Sequence, residues 1–218
     1  MKNKYVAKTI DLYKNLGWKY LFCYIRFWDA PIVEFEKYIP KKGNFVELGC
    51  GDGILSNYLA ITSEQRFIHG IDTDKVRLKS AKRGLNNTKY TQGDIRKVTI
   101  PNCNGIIISH VLHHLSSYSE QEELLKVCKN KLAKGGSIYI LEIYKNFSIK
   151  YLIGWFFDHF LVPTFFEKRL YSKIYYRNKN EWTKMLNNID LNTKVIPVTK
   201  NKPISNIIIL CKPKIKKG

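Results

Sequence analysis

The chain has 218 residues, of which 44% are hydrophobic, enough to bury one full core and too few for two independent domains of ordinary size. That apolar share argues against a disordered chain and against a polytopic membrane protein. Lys and Arg number 37 against 18 Asp and Glu, a formal net charge of +19; this admits nucleic acid or an anionic membrane as partner, although the lysines are scattered and only the tail "CKPKIKKG" forms a run.

The start, "MKNKYVAKTIDLYKN", has no long apolar stretch ending in a small-residue cleavage site, so no secretory signal and a cytoplasmic protein are expected. Residues 1–40 form an N-terminal helical appendage whose "GWKYLFCYIRFW" (17–28) is aromatic and basic. From residue 41 short strand-like runs alternate with helical ones. Asn44–Leu48 reads as a strand, Ile54–Thr62 as a helix, Arg66–Ile71 as a strand, Asp74–Gly84 as a helix and Lys89–Gln92 as a strand. Gly105–His110 follows as a strand, Ser119–Leu132 as a helix and Gly136–Ile143 as a strongly apolar strand. This alternation predicts an α/β fold with a mostly parallel sheet and helices on both faces. Residues 146–185 read as an insertion beside the site. Its "IKYLIGWFFDHFLVPTFF" is apolar at helical spacing, but Lys150, Asp158, His159 and Pro163 interrupt it short of a membrane span. Residues 186–218 hold two strand-like runs with no room for a helix between them, hence an antiparallel hairpin. The five cysteines have no paired spacing and read as reduced thiols.

Gly49, Gly51 and Gly53 stand between the first strand and the first core helix, where bare backbone lets a ligand approach closely. Glu47 precedes the turn. Asp72 closes the second strand, where a carboxylate accepts both hydroxyls of a ribose. Asp94 in "GDI" is placed to accept from an exocyclic amine, with Ile95 against an adenine face.

The run Glu47-Leu-Gly-Cys-Gly-Asp-Gly53, Asp72, Gly93-Asp94-Ile95, the segment "GIIISHVLHHL" and the terminal hairpin resemble the class I S-adenosylmethionine-dependent methyltransferases. "KYIPKKGNFVELGCGDG" and "YYRNKNEW" are similar to small bacterial methyltransferases of undefined acceptor, some tied to aryl-polyene-type pigments. The resemblance implies a Rossmann-like seven-stranded sheet in a single domain and S-adenosylmethionine as cofactor. It implies binding by Glu47, Gly49, Cys50, Gly51, Asp72, Thr73, Asp94, Ile95 and His110. A nicotinamide-binding Rossmann fold shares the glycines and the ribose acid, but not Glu47, the Gly-Asp-Ile or the closing hairpin.

Methyl transfer needs alignment and, for a protonated acceptor, a base. Imidazoles suit the second task. His110, His113 and His114 cluster in "SHVLHHL", with His110 at a strand end, and His159 lies in the insertion; His110 and His159 are the catalytic candidates. No carboxylate or cysteine joins the three clustered histidines, so no metal site is expected. Trp155, Phe156 and His159 are expected in a mobile lid, 149–166, over the acceptor. Nucleobase amino-methylases of this superfamily usually carry an Asp/Asn-Pro-Pro-Tyr-like motif where Ser109-His110-Val111-Leu112 stands, which disfavours nucleic acid. The expected activity is methylation of a hydrophobic small-molecule or lipid-like acceptor, with peripheral contact to an anionic membrane at the inner face. RNA methylation and a non-catalytic binding module are the alternatives.

Overall fold

The computed structural model describes residues 3–156, 159–160 and 173–214. Among these, the strands are β1 (Gly43–Leu48), β2 (Arg66–Asp72), β3 (Thr88–Gln92), β4 (Cys103–Ser109), β5 (Leu132–Ile143), β6 (Leu191–Val198) and β7 (Asn206–Pro213). They form one sheet in the order β3-β2-β1-β4-β5-β7-β6. The first five are mutually parallel, and β7 runs antiparallel between β5 and β6. The sequence order reverses between β1 and β4, which opens a crevice beyond their carboxyl ends.

Successive side chains of a strand point to opposite faces, and here both faces are covered, so the central strands are apolar over most of their length. Ile106, Ile108, Ile138, Ile140, Ile207 and Ile209 pack to one side with α6 (Tyr118–Asn130) and α8 (Lys179–Asn188). Phe45, Ile107, Tyr139, Leu141 and Ile208 pack to the other with α1 (Lys4–Asp11), α2 (Trp18–Asp29), α3 (Ile32–Glu36) and α4 (Ile54–Thr62). The N-terminal segment shares this core through Ile10, Tyr13, Cys23, Ile32 and Phe35. It is part of the body rather than an attachment to it. All five cysteines are buried and unpaired by disulfides.

Most boundaries fall within two residues of expectation, and three differences are larger. Helix α5 (Lys75–Ala81) stops before Gly84, because Lys82 is already extended and Gly84 is left-handed at φ 76°. Strand β5 starts at Leu132, four residues early, because it pairs with Cys103 across a register shift. Helix α8 begins inside the segment read as insertion, runs past that segment's expected end at 185, and is announced locally by a capping box, Asn178 with Glu181. Of the expected lid, α7 (Ile149–Phe156) is helical as its spacing requires; 157–158 and 161–166 lie outside the described residues. No helix among the described residues is long and apolar enough to cross a membrane.

Candidate functional site

The glycine turn is held open by contacts a side chain would fill. Gly49, Gly51 and Gly53 all have left-handed φ, and a Cβ at Gly49 would strike Val111, one at Gly51 the Arg77 guanidinium. Gly49 and Cys50 donate N–H to the Ile71 carbonyl at 2.8 and 3.1 Å, and the Gly51 N–H donates to Asp72 at 2.7 Å. The turn is therefore hung on the end of β2. Asp52 at its apex is gripped by Lys19 at 2.7 Å and Arg77 at 3.0 Å, while the Tyr13 hydroxyl donates to the Asp52 carbonyl.

Beneath the turn lies a cleft of about 60 Å³ lined by Phe22, Arg26, Glu47, Gly49, Cys50 and Ser109, among others. A water needs roughly 10–15 Å³, so the space suits a small polar head group. Glu47 is 3% exposed and accepts from the Ser56 hydroxyl. Burial, reinforced by the Asp72 charge, pushes its pKa up to about 8 against the opposing pull of Ser56 and Arg26. A cation placed beside it would favour the charged carboxylate and draw this pKa back down.

Arg26 brings the complementary charge. Helix α2 carries Phe22 and Arg26 one turn apart, so both face the cleft. The Arg26 guanidinium pairs with Asp29 at 3.1 Å and donates to Nδ1 of His110 at 3.0 Å. His110 sits just past β4 rather than within it, in left-handed backbone at φ 54°. Guanidinium only donates, so His110 Nδ1 is an acceptor and its Nε2–H donates to Asn206 at 2.9 Å. Burial first, then the Arg26 charge, bring the His110 pKa down to about 4. In this arrangement the lone pair a base needs is occupied by Arg26.

The remaining expected residues lie around this centre. Asp72 accepts from Gly51 N–H and, at 2.8 Å, from Asp74 N–H. Thr73 is exposed beside it. Asp94 is bound in a fork by Arg96, whose hydrogen bonds hold its pKa down to about 2. Ile95 packs into the core with Ile71 and Ile100. His159 does not line the cleft; its ring stacks on Trp155 at 4.3 Å and Nδ1 donates to the Trp155 carbonyl.

A run of rings leads outward from the β4 loop. His113 stacks on Tyr176 at 5.3 Å, and Tyr176 meets Tyr151 of α7 at 5.6 Å and His159 at 6.4 Å. The buried His113 is paired with Glu142, which also accepts from the N–H groups of Val111 and Leu112. Burial alone would raise the Glu142 pKa, but the His113 charge and hydrogen bond outweigh it and lower it. Glu142 thus fixes the loop that follows His110.

Arg26, Glu142 and Asn206 were not singled out from sequence. Glu142 had a signal, a lone acid ending the apolar "GSIYILEI". Arg26 and Asn206 had none that separates them from surface residues, because tertiary packing alone brings them to His110.

Residues 46–140 match a family described as "Methyltransferase domain". "Ribosomal RNA small subunit methyltransferase C" of Acinetobacter baylyi is 29% identical over 110 residues, 46% of this chain and 32% of that protein. The chain spans about a third of the length of this curated relative. Among solved structures, the DhpI–SAH complex is similar with a TM-score of 0.67 at 16% identity, over 98% of this chain and 95% of that one. The pyocyanin biosynthetic protein PhzM is similar with a TM-score of 0.68 at 15% identity, over 88% of this chain and 57% of that one. At such identities the likeness to both structures is one of fold.

Proposed function

We propose that this chain, whose residues 46–140 match a methyltransferase-domain family, is a class I enzyme that transfers a methyl group from S-adenosylmethionine to a hydrophobic small-molecule or lipid-like acceptor. The carrying observation is that buried Glu47 and the Arg26 guanidinium line one small cleft at the carboxyl ends of β1 and β4. An amino-acid head group offers an ammonium and a carboxylate, the complements of these two charges. Glu47 and the turn backbone at Gly49, Cys50 and Gly51 would hold that head group with Arg26. Asp72 and Thr73 would hold the ribose, and Asp94 with Ile95 the adenine. When bound, the sulfonium supplies an already activated methyl, so the chain's own tasks are to align the acceptor, exclude water and accept a proton.

His110 would line the cofactor, and it serves as base only once Arg26 leaves Nδ1. A cofactor carboxylate competes for Arg26 and so gives that release a cause. The rings of His113, Tyr151, Trp155, His159 and Tyr176 support an apolar or aromatic acceptor. RNA remains the second reading, favoured by the +19 charge and the ribosomal RNA methyltransferase likeness. Lipid extracts, aromatic acids and RNA, each incubated with methyl-labelled donor, separate these readings; label confined to RNA overturns ours, and no label anywhere favours a binding module.

Two substitutions test the assignments. Asp72→Ala should weaken S-adenosylhomocysteine binding by about 1.5–3 kcal/mol, the usual worth of a hydrogen bond to a charged group. It should also lower the melting temperature, since Gly51 and Asp74 lose their acceptor; calorimetry finding unchanged affinity would remove Asp72 from the site. Trp155→Ala is expected to cut turnover at least about tenfold while S-adenosylhomocysteine affinity stays within about twofold. Parallel loss of both quantities would make Trp155 structural.

A further inference from the structure

The face of α2 turned away from the cleft is apolar and unburied. Trp18, Leu21, Tyr24 and Trp28 are 49%, 61%, 47% and 59% exposed, and at 100° per residue they fall within one third of the helix circumference. Helix α7 repeats the pattern: Ile149, Leu152, Ile153 and Phe156 fall on one face and are 76%, 59%, 37% and 49% exposed. Its other side is anchored, with Gly154 against Ile204 and Tyr151 packed on Tyr176.

Both helices are fastened to the same β6–β7 turn. Lys202 Nζ donates to the carbonyls of Phe27, Trp28 and Ala30 at the end of α2, and Lys150 of α7 donates to the Thr199 carbonyl at 2.6 Å. The segments that build this edge, 12–28, 144–156 and 199–205, contain seven Lys or Arg and no Asp or Glu, with Lys19 and Arg26 paired inward to Asp52 and Asp29. Lys14, Lys145 and Lys200 are exposed there. Exposed aromatics of this extent mark an interaction surface. Exposed aromatic and aliphatic side chains beside the exposed Lys14, Lys145 and Lys200 match a bilayer interface with anionic head groups.

We propose that the outward faces of α2 and α7 form one docking surface for an anionic lipid bilayer. The same helix that turns Phe22 and Arg26 into the cleft lays Trp18, Leu21 and Trp28 on the membrane. A lipid-soluble acceptor therefore reaches the site without crossing bulk water. Docking does not depend on methyl transfer; the acceptor route it serves rests on the function proposed above.

The purified full chain is to be sedimented with phosphatidylcholine vesicles, with and without about 30% phosphatidylglycerol. Binding is expected with the anionic vesicles and much less with the neutral ones, accompanied by a blue shift of tryptophan emission. The pairs Leu21→Ser/Trp28→Ser and Ile149→Ser/Leu152→Ser should each lower partitioning at least about tenfold, with S-adenosylhomocysteine affinity within about twofold of the parent. That second readout reports on the cofactor site alone, so failure of the methyltransferase reading is distinguishable from failure of docking. Three results overturn the proposal: no binding to anionic vesicles, binding that salt abolishes and the serine pairs leave unchanged, or self-association of the chain that the serine pairs abolish.

Discussion

Glu47→Gln is expected to weaken S-adenosylhomocysteine binding at pH 7.5 by about 2–4 kcal/mol, roughly 30- to 1,000-fold, the loss typical when one member of a buried charged pair is removed. The same substitution should not destabilise the ligand-free protein at that pH. The folded Glu47 pKa lies near 8, far above the ordinary carboxylate range. Between that range and about 8 the folded chain retains a proton that the unfolded chain has released. Stability of the ligand-free protein therefore falls as pH rises through this window. Glutamine has no proton to lose and removes this penalty, so the variant should match or exceed the parent in thermal stability at pH 8. Binding of an ammonium group must ionise Glu47, so the parent should release close to one proton per ligand bound at pH 7. Its affinity should strengthen toward pH 8. Titration calorimetry in buffers of different ionisation enthalpy measures that proton, and an affinity independent of pH, or equal in parent and variant, would remove Glu47 from the head-group site.

What could be read from sequence follows from which forces are local. The strand-turn-helix at Glu47–Thr62 was legible because glycine spacing, apolar run length and helical periodicity are all local signals. The final hairpin was legible because the stretch between its strands is too short for any crossover. The charges that complete the cleft were not. Arg26 reaches His110 across 84 positions and Asn206 reaches it across 96, and no local pattern encodes such meetings. His110 shows the consequence. Its position at the end of β4 pointed to a base, yet its protonation is governed by burial and then by an arginine from α2 that no local pattern places there. Residues 1–40 likewise looked like an appendage because they precede the alternating pattern; Tyr13, Cys23 and Phe35 are nevertheless fully buried, and α2 supplies Arg26 to the cleft.

That dependence makes the second large effect structural. Arg66→Met is expected to destabilise the protein by about 3–5 kcal/mol, because it breaks a buried ion pair, strands the carbonyls the guanidinium caps and leaves Glu36 only the exposed Lys41 as counter-charge. Arg66 opens β2 and is 0% exposed. Its guanidinium binds Glu36 of α3 at 2.7 Å, the Pro40 carbonyl at 2.7 Å and the Thr62 hydroxyl of α4 at 2.7 Å, together with the Ile39 carbonyl. One side chain thus closes the junction where the N-terminal helices meet the sheet. Lysine cannot reproduce this fork, so Arg66→Lys should recover little of the loss. Burial raises the Glu36 pKa, but Lys41 and Arg66 outweigh it and leave it below the ordinary value. The stability from this pair is therefore present above the unfolded carboxylate pKa and is lost as pH falls through the lower folded value. Urea titrations of the parent, Arg66→Met, Glu36→Gln and the double variant should show single losses that do not add, because each partner's loss already includes the stranding of the other. Strictly additive losses, or a loss under about 1 kcal/mol for Arg66→Met, would mean that the junction is held by its apolar contacts. With the pair broken, α2 loses its fixed seat through α3, and S-adenosylhomocysteine affinity should fall at temperatures well below the midpoint. Arg26 can meet a carboxylate only from a helix that is held in place.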